Sequence, residues 1–488
     1  MSSTQVLNHS PFRLEGDFIS QLLTNIRTRS ISWTSFVKAG CLSNENMSVL
    51  KSITSVNDQE DPLSRVDVLI KDIPTYSKVL FDSILELSNN NTKNLDLTKI
   101  LLVILYDGLT YINSELFEST ITDEFFKISK GNPYPPFIEI LNSTTSNSNN
   151  DDENNQDNFI ISILTAHILT SLLTTVPAQQ PASSLDLVSL LFKYIQINLI
   201  TSNKLQYRFL GIQLLKELLS IKSFRNIYIS HTEYLDSLIN IMLDKNIELQ
   251  MRYLSIYCLW TLTFDSKTSQ LLTTNAKYSE IIPSMFKFAN DAVKEKVVRL
   301  SISILINFLN TSINSTNKNE IIKKFLLTNG LTIIKNLIER KWSDDELKED
   351  LNSLYELLND SIKSLTNFDE YENEIKTKHL LWSPCHKNTE FWYDNIDKFK
   401  ENNWKLLKSL VSLLSDSSIG DSNLTQLYIN QSIICYDLSM IIKVAPEVIK
   451  IINTMGTKTQ IMTLMNSPNS NVKYEALRTT QLLVANSL

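Results

Sequence analysis

Glycine and proline are scarce in this chain, at 8 and 12 of 488 residues, where average usage would be roughly 7% and 5%. That shortage excludes phosphate-cradling loops: neither G-x-x-x-x-G-K nor G-x-G-x-x-G occurs. A sheet protein of this size would also need many Gly/Asn turns, so helices joined by short polar connections are favoured. Cysteine is scarce as well. Cys41, Cys258, Cys385 and Cys435 show no paired spacing, which argues against a disulfide framework and suits a reducing compartment. The five histidines (His9, His167, His231, His379, His386) offer no evident nucleophile–base set. Cys385-His386, with His379 upstream, is the best metal suggestion, but it lacks C-x-x-C or H-x-x-x-H spacing. No catalytic residue, metal or cofactor is expected, and hence no enzyme. A net charge of −7 and a pI near 5.5 count against nucleic-acid binding. The first thirty residues carry no basic stretch leading into an apolar one, so no secretory signal is expected. The densest apolar run, Ile100–Tyr106, is far short of the ~18–20 residues of a membrane span. Any membrane association is expected to come through a partner.

What the chain does have is internal repetition. Leu205-Gln206-Tyr207-Arg208-Phe209-Leu210 opens an apolar helical stretch that continues through Ile212, Leu214 and Leu215. Leu249-Gln250-Met251-Arg252-Tyr253-Leu254 opens another, and Lys296-Val297-Val298-Arg299-Leu300 a looser third. Shorter amphipathic segments precede them at Leu185–Ile195, Tyr234–Leu243 and Ile281–Phe288. A helix pair recurring at this interval matches the HEAT/armadillo range of about 40–47 residues. One pair cannot bury its apolar face alone, whereas stacked pairs share a continuous core. Val293, Val297, Leu300, Ile304 and Phe308 form one helical stripe, and Trp404, Leu407, Val411 and Leu414 another. The fold class expected is therefore all-α: a HEAT/armadillo-like helical-repeat solenoid with a smaller all-α C-terminal domain.

Two stretches break the pattern. Asn142–Asn158 is almost wholly polar and is expected to be a disordered loop. Ser343–Glu374 holds eleven acidic residues against only Lys348 and Lys363, yet keeps Leu347, Leu351, Leu354 and Leu358 at helical spacing. It reads as a charged helix opened by a Ser343–Glu346 capping box. The domain division expected is 1–365 for the solenoid, 366–382 for the connection and its flex, and 383–488 for the C-terminal domain. Trp33, Trp260, Trp382, Trp392 and Trp404 read first as core residues, as does His167 within the run Phe159–Leu173.

One string is more specific: Leu381-Trp382-Ser383-Pro384-Cys385-His386, then Phe391-Trp392-Tyr393-Asp394-Asn395, then Asn403-Trp404-Lys405-Leu406-Leu407. It resembles the C-terminal domain of the H-subunit family of vacuolar proton-pumping ATPases (V-ATPases). Ile26-Arg27-Thr28-Arg29-Ser30-Ile31-Ser32-Trp33 resembles that family's N-terminal helix. Lys294–Leu300, Glu339–Leu347 and Val472–Leu477 resemble its late repeats and final helix, with fungal members nearest. The resemblance implies a non-catalytic subunit of the peripheral ATP-hydrolysing sector on the cytoplasmic face of the vacuole, or in the cytosol when that sector detaches. Its solenoid would grip the peripheral stalk of subunits E and G, and its C-terminal domain would contact the soluble part of membrane subunit a. On detachment, that domain would swing onto the catalytic head and central rotor and suppress hydrolysis. Arg27, Trp33, Trp382, Ser383, Pro384, His386, Phe391 and Trp392 are the candidate partner-binding or domain-junction residues, with packing the more natural role. The alternative is an armadillo cargo or transport adaptor, which would carry a W-x-x-x-N ladder; none of the six tryptophans is followed by Asn four residues on.

Overall fold

The computed structural model describes residues 12–56, 58–89, 94–112, 119–145, 153–175, 184–312, 315–365, 368–415 and 424–485. Among these residues every regular element is a helix and no strand occurs, as an all-α helical-repeat fold requires. The chain divides into two compact units, Met1–Leu262 and Thr263–Leu488.

In the first unit the repeat pairs fall where the periodicity puts them. Helix Ser184–Tyr194 precedes Leu205–Ser220, and Thr232–Leu243 precedes Leu249–Leu262; the two long members pack against each other. Helix Leu95–Tyr111 is buried from Lys99 through Gly108, so its middle turns lie inside the unit with no solvent face. Helix Glu153–Thr175 is its neighbour and is buried from Ile160 through Thr174. The stretch Gln156–Thr175 is long and apolar enough to cross a membrane, which corrects the expectation that no run reaches that length. Ser162, Thr165, Thr174 and Thr175 bond to the helix's own backbone, Thr165 Oγ1 donating to the Ile161 carbonyl at 2.7 Å, so they cost little apolar character. In this fold 83% of that window is buried within the chain.

His167 sits in that helix at 0% exposure, its Nε2 2.9 Å from the Phe12 carbonyl and its ring stacked on Phe12. Burial drives its pKa down to about 4, partly opposed by the Phe12 carbonyl. The ring is therefore neutral and donates from Nε2. Below pH ~6.5 the unfolded chain takes up a proton that the folded chain refuses, so the stabilisation is complete above pH ~6.5 and disappears as pH falls toward 4. His167→Gln keeps a donor without the titration. Its melting temperature should fall less steeply between pH 6.5 and 4 than that of the parent; parallel curves would refute the assignment.

The shortage of glycine is offset by other ways of ending helices. Arg208 donates from Nε to the Ser202 carbonyl at 2.6 Å, and Arg252 donates from Nη2 to the Asp244 carbonyl at 2.7 Å. The repeated arginine thus reaches back to the turn before its own helix and satisfies a carbonyl left over there. Arg225 does the same for the carbonyls of Leu219 and Ser220. At the other ends, Thr120 and Asp123 form a reciprocal capping box. The Asn-rich loop is shorter than expected. Residues 142–145 belong to helix Pro135–Thr145 and 153–158 to helix Glu153–Thr175, because each polar end continues a buried apolar turn; residues 146–152 lie outside the described residues.

In the second unit the third pair is Ile281–Asp291 with Glu295–Asn310. Val293 is a correction to the expected stripe: it lies before the helix start and is 95% exposed. Arg299 leaves the back-reaching pattern and pairs with Asp344, Glu346 and Asp350. The carbonyls of Asn290 and Ala292 are served instead by Arg340. Gly330 has its own reason: a Cβ there would stand 2.6 Å from the Phe325 carbonyl oxygen.

The acid-rich stretch is helix Asp345–Leu365 followed by Phe368–Thr377, with Leu347, Leu351, Leu354 and Leu358 buried. Its cap differs from the expected box. Asp344 accepts the Leu347 N–H at 3.1 Å, while Ser343 donates its hydroxyl to Glu295 at 2.7 Å. A carboxylate from the preceding repeat takes the serine away. Residues 368–377 also have more apolar order than expected: Phe368, Tyr371 and Ile375 are buried at spacings of three and four. They join Trp392, Phe399, Leu407, Ile434, Ile441 and Leu483 in the C-terminal core.

Candidate functional site

Each unit contains a buried ionic cluster, and each cluster includes a residue singled out from the sequence. In the first unit Arg27, the last residue of helix Asp17–Arg27, donates from Nη2 and Nε to the two Asp107 oxygens at 2.5 and 3.2 Å. Arg65 donates from Nη1 to Asp107 at 3.4 Å and from Nη2 to the Arg27 carbonyl at 2.8 Å. Asp107 is 0% exposed. Burial raises its carboxyl pKa, and the two guanidiniums oppose that rise. The fork geometry, two permanent cations on one carboxylate, holds Asp107 ionised. Trp33 is buried at 6%, edge-on to Phe36.

The same unit holds an extended segment in place by its main chain. Leu14 donates its N–H to the Tyr106 hydroxyl at 3.2 Å and accepts from it at 3.4 Å. Gln213 clamps Glu15 from both sides, accepting its N–H at 2.6 Å and donating to its carbonyl at 3.0 Å. With His167 on Phe12, side chains from three helices bind the backbone of residues 12–15.

The second cluster is built on the W-S-P-x-H string. Ser383 precedes the short helix Pro384–Lys387, with Pro384 in its first turn where no N–H is needed. This aims His386 inward at 0% exposure. Its Nδ1 stands 2.8 Å from both Asp437 oxygens, and Nε2 stands 3.1 Å from Glu374. Tyr371 donates its hydroxyl to Asp437 at 3.0 Å. Burial alone would lower the imidazole pKa; the Asp437 and Glu374 carboxylates outweigh it and raise it to about 9. Glu374, which burial alone would raise, is held below its usual range by His386 and by the Leu381 N–H. Burial pushes the neighbouring Cys385 thiol up to about 12. Both ring nitrogens face carboxylates, so both carry protons.

Asp437 belongs to helix Leu424–Val444, whose polar residues hold the approach to the string. Asn430 donates to the Lys378 carbonyl at 2.9 Å and accepts the Leu380 N–H at 3.1 Å. Gln426 donates to the Leu380 carbonyl at 2.8 Å. Trp392 is fully buried and Phe391 is 3% exposed, both in an aromatic box with Phe368, Tyr371 and Phe399. Trp382, Ser383 and Pro384 are half-buried, and Trp382 packs edge-on against Tyr436 and His386. Of the eight candidates, Arg27, Trp33, His386, Phe391 and Trp392 are thus turned into cores, and Trp382, Ser383 and Pro384 retain surface. Sequence reasoning missed Asp107 and Asp437. Both follow a tyrosine inside an apolar helical run, where a lone carboxylate demands a buried cation. That was the available signal.

The family models described as the H subunit of the V-ATPase match in two parts, an N-terminal model over residues 17–358 and a C-terminal model over 364–488. The H subunit of the V-type proton ATPase of Drosophila melanogaster is 26% identical over 96% of this chain and 90% of its own length. That of Dictyostelium discoideum is 26% identical over 95% of this chain and 93% of its own. A probable V-type proton ATPase H subunit from Oryza sativa subsp. japonica is 31% identical over 48% of each chain. Among solved structures, an engineered protein overlaps 95% of this chain and 94% of its own at 13% identity and a TM-score of 0.40. A designed armadillo repeat protein overlaps 60% of this chain and 99% of its own at 16% identity and 0.27. The chain, matched over residues 17–358 and 364–488, belongs to the V-ATPase H-subunit family.

Proposed function

We propose that this chain is a non-catalytic regulatory and stator subunit of the peripheral sector of a vacuolar proton-pumping ATPase, at the cytoplasmic face of the vacuolar membrane. Its repeats hold the peripheral stalk of subunits E and G, and its C-terminal domain engages the soluble part of membrane subunit a. When the sector detaches, that domain moves onto the catalytic head and central rotor and suppresses ATP hydrolysis. The observation that carries the reading is the pair of family matches in order, with their boundary between residues 358 and 364.

Local physics supports a movable second domain, but one that already includes most of the expected 366–382 connection: helix Phe368–Thr377 and Leu380 pack in the C-terminal core, so the proposed hinge lies before Phe368. The C-terminal core is rich in fully buried aromatic and aliphatic side chains, so it can move as a body. Polar contacts from the late repeats to it include Lys323 to Glu370 at 3.5 Å and Lys387 to the Leu327 carbonyl at 3.5 Å. Long, exposed pairs of this kind are each worth under ~1 kcal/mol, so exchanging them for another docking surface costs little. Trp382, with surface to spare, is the motif residue best placed to touch a partner.

Deleting residues 367–488 tests the mechanism. The truncated chain should still bind the stalk while losing all suppression of hydrolysis by the detached sector, measured as ATPase activity with the truncated chain at saturation. Full suppression by the truncated chain would sink the mechanism.

A further inference from the structure

Residues 378–383 run along the C-terminal core as a strap without helical structure, with Leu380 and Trp382 as its apolar anchors. Leu380 is fully buried, whereas Leu381 is 44% exposed. The polar fastening comes from two directions. Helix Leu424–Val444 supplies Gln426 and Asn430 to the Lys378 and Leu380 backbone. Helix Phe368–Thr377 supplies Glu374, which accepts the Leu381 N–H at 3.2 Å. The imidazole of His386 ties the two directions together, bridging Glu374 to Asp437.

That bridge works only with two ring protons. A neutral imidazole donates from one nitrogen and presents a lone pair at the other, so one carboxylate would then face a lone pair. Asp437 is fully enclosed and also receives the Tyr371 hydroxyl. The Glu374 side chain keeps 18% exposure and has water to move into. The proton that leaves first is therefore the one on Nε2. Glu374 then loses its buried partner, turns outward, and drops the Leu381 N–H.

We propose that doubly protonated His386 is a proton-operated latch, fastening the 378–383 strap to the C-terminal core and releasing its Glu374 end when the Nε2 proton is lost. The charged groups that face the ring are Asp437 from helix Leu424–Val444 and Glu374 from helix Phe368–Thr377. Tyr371 and Cys385 are kept neutral by burial. Among the described residues, no acid or base from helix Thr389–Ser412 enters the cluster; that helix contributes the Trp392 indole, which donates to the His386 carbonyl at 3.4 Å. With the latched ring titrating near 9 and a released ring near ~6.5, the latch is closed below ~6.5. Opening then rises by at most about tenfold per pH unit up to 9 and levels off above.

Hydrogen exchange of the full chain, corrected for base catalysis, reads this directly. Protection of peptides covering 379–383 should fall roughly twentyfold between pH 7 and 9, while helix Leu424–Val444 keeps its protection. In His386→Gln, which cannot titrate, strap protection should not vary with pH. A flat profile in the parent, or an equal fall in His386→Gln, would overturn the latch. Should His386→Gln fail to fold, Glu374→Gln replaces it, read by nitrogen NMR of labelled histidine. Its His386 midpoint should drop by more than one pH unit, and an unmoved midpoint would likewise overturn the proposal.

Discussion

Asp107→Ala should destabilise the folded chain by about 3–5 kcal/mol, because it leaves two buried guanidiniums without their counter-charge. Arg27 and Arg65 are 7% and 2% exposed, so neither can reach water without opening the first unit. The partner substitutions are not equivalent. Arg65→Ala should cost less, since Arg27 alone still makes the bidentate contact with Asp107. Replacing all three by apolar residues of similar volume, as in Arg27→Met/Asp107→Leu/Arg65→Met, should recover much of the loss, because no uncompensated charge remains. Urea midpoints for the three proteins decide the matter. A loss below ~1 kcal/mol for Asp107→Ala would mean that water already reaches the cluster.

The second large effect divides one motif in two. Trp392→Ala removes the largest fully buried side chain from an aromatic box that cannot collapse around the gap, and should cost about 3–5 kcal/mol. Trp382→Ala removes a half-buried ring held by edge contacts, and should cost about 1 kcal/mol or less. If Trp382 touches a partner, its alanine variant will lose binding while melting normally. Thermal unfolding of both variants, with pull-down of ATPase subunits for Trp382→Ala, separates packing from docking. Equal melting losses would remove the distinction.

Much of the architecture is legible because helical repeats write themselves in period and spacing. Three long helices begin within a residue or two of where their Leu-Gln-x-Arg or Lys-Val-Val-Arg strings open, since burial of one face depends on local sequence, as does the back-reaching arginine of the first two. The Ser343 cap escapes such a reading for the opposite reason: its competitor, Glu295, lies 48 residues away, and nothing nearby announces it. The segment 368–377 hides its apolar order because its three buried residues alternate with four acids, one of which, Glu374, turns inward to His386. His386 is visible as a motif residue but not as a bridge, since its partners stand 12 and 51 positions away. Trp404 keeps its expected place in the core although its backbone is left-handed at φ 60°, after Asn402 and Asn403 at 50° and 56°. A periodicity count registers the side chain and is blind to the turn that delivers it.

The strap at 378–383 is gripped through its peptide groups, and that fixes which side of the contact carries information. Gln426 and Asn430 recognise carbonyls and an amide that every amino acid supplies. His379, whose side chain is exposed, can therefore be exchanged for almost any residue but proline without disturbing the fastening. Gln426 and Asn430 cannot be exchanged so freely, because a shorter or charged side chain loses the match in length or in donor and acceptor. A library randomised on both sides should return a permissive profile at 379 and a restrictive one at 426 and 430.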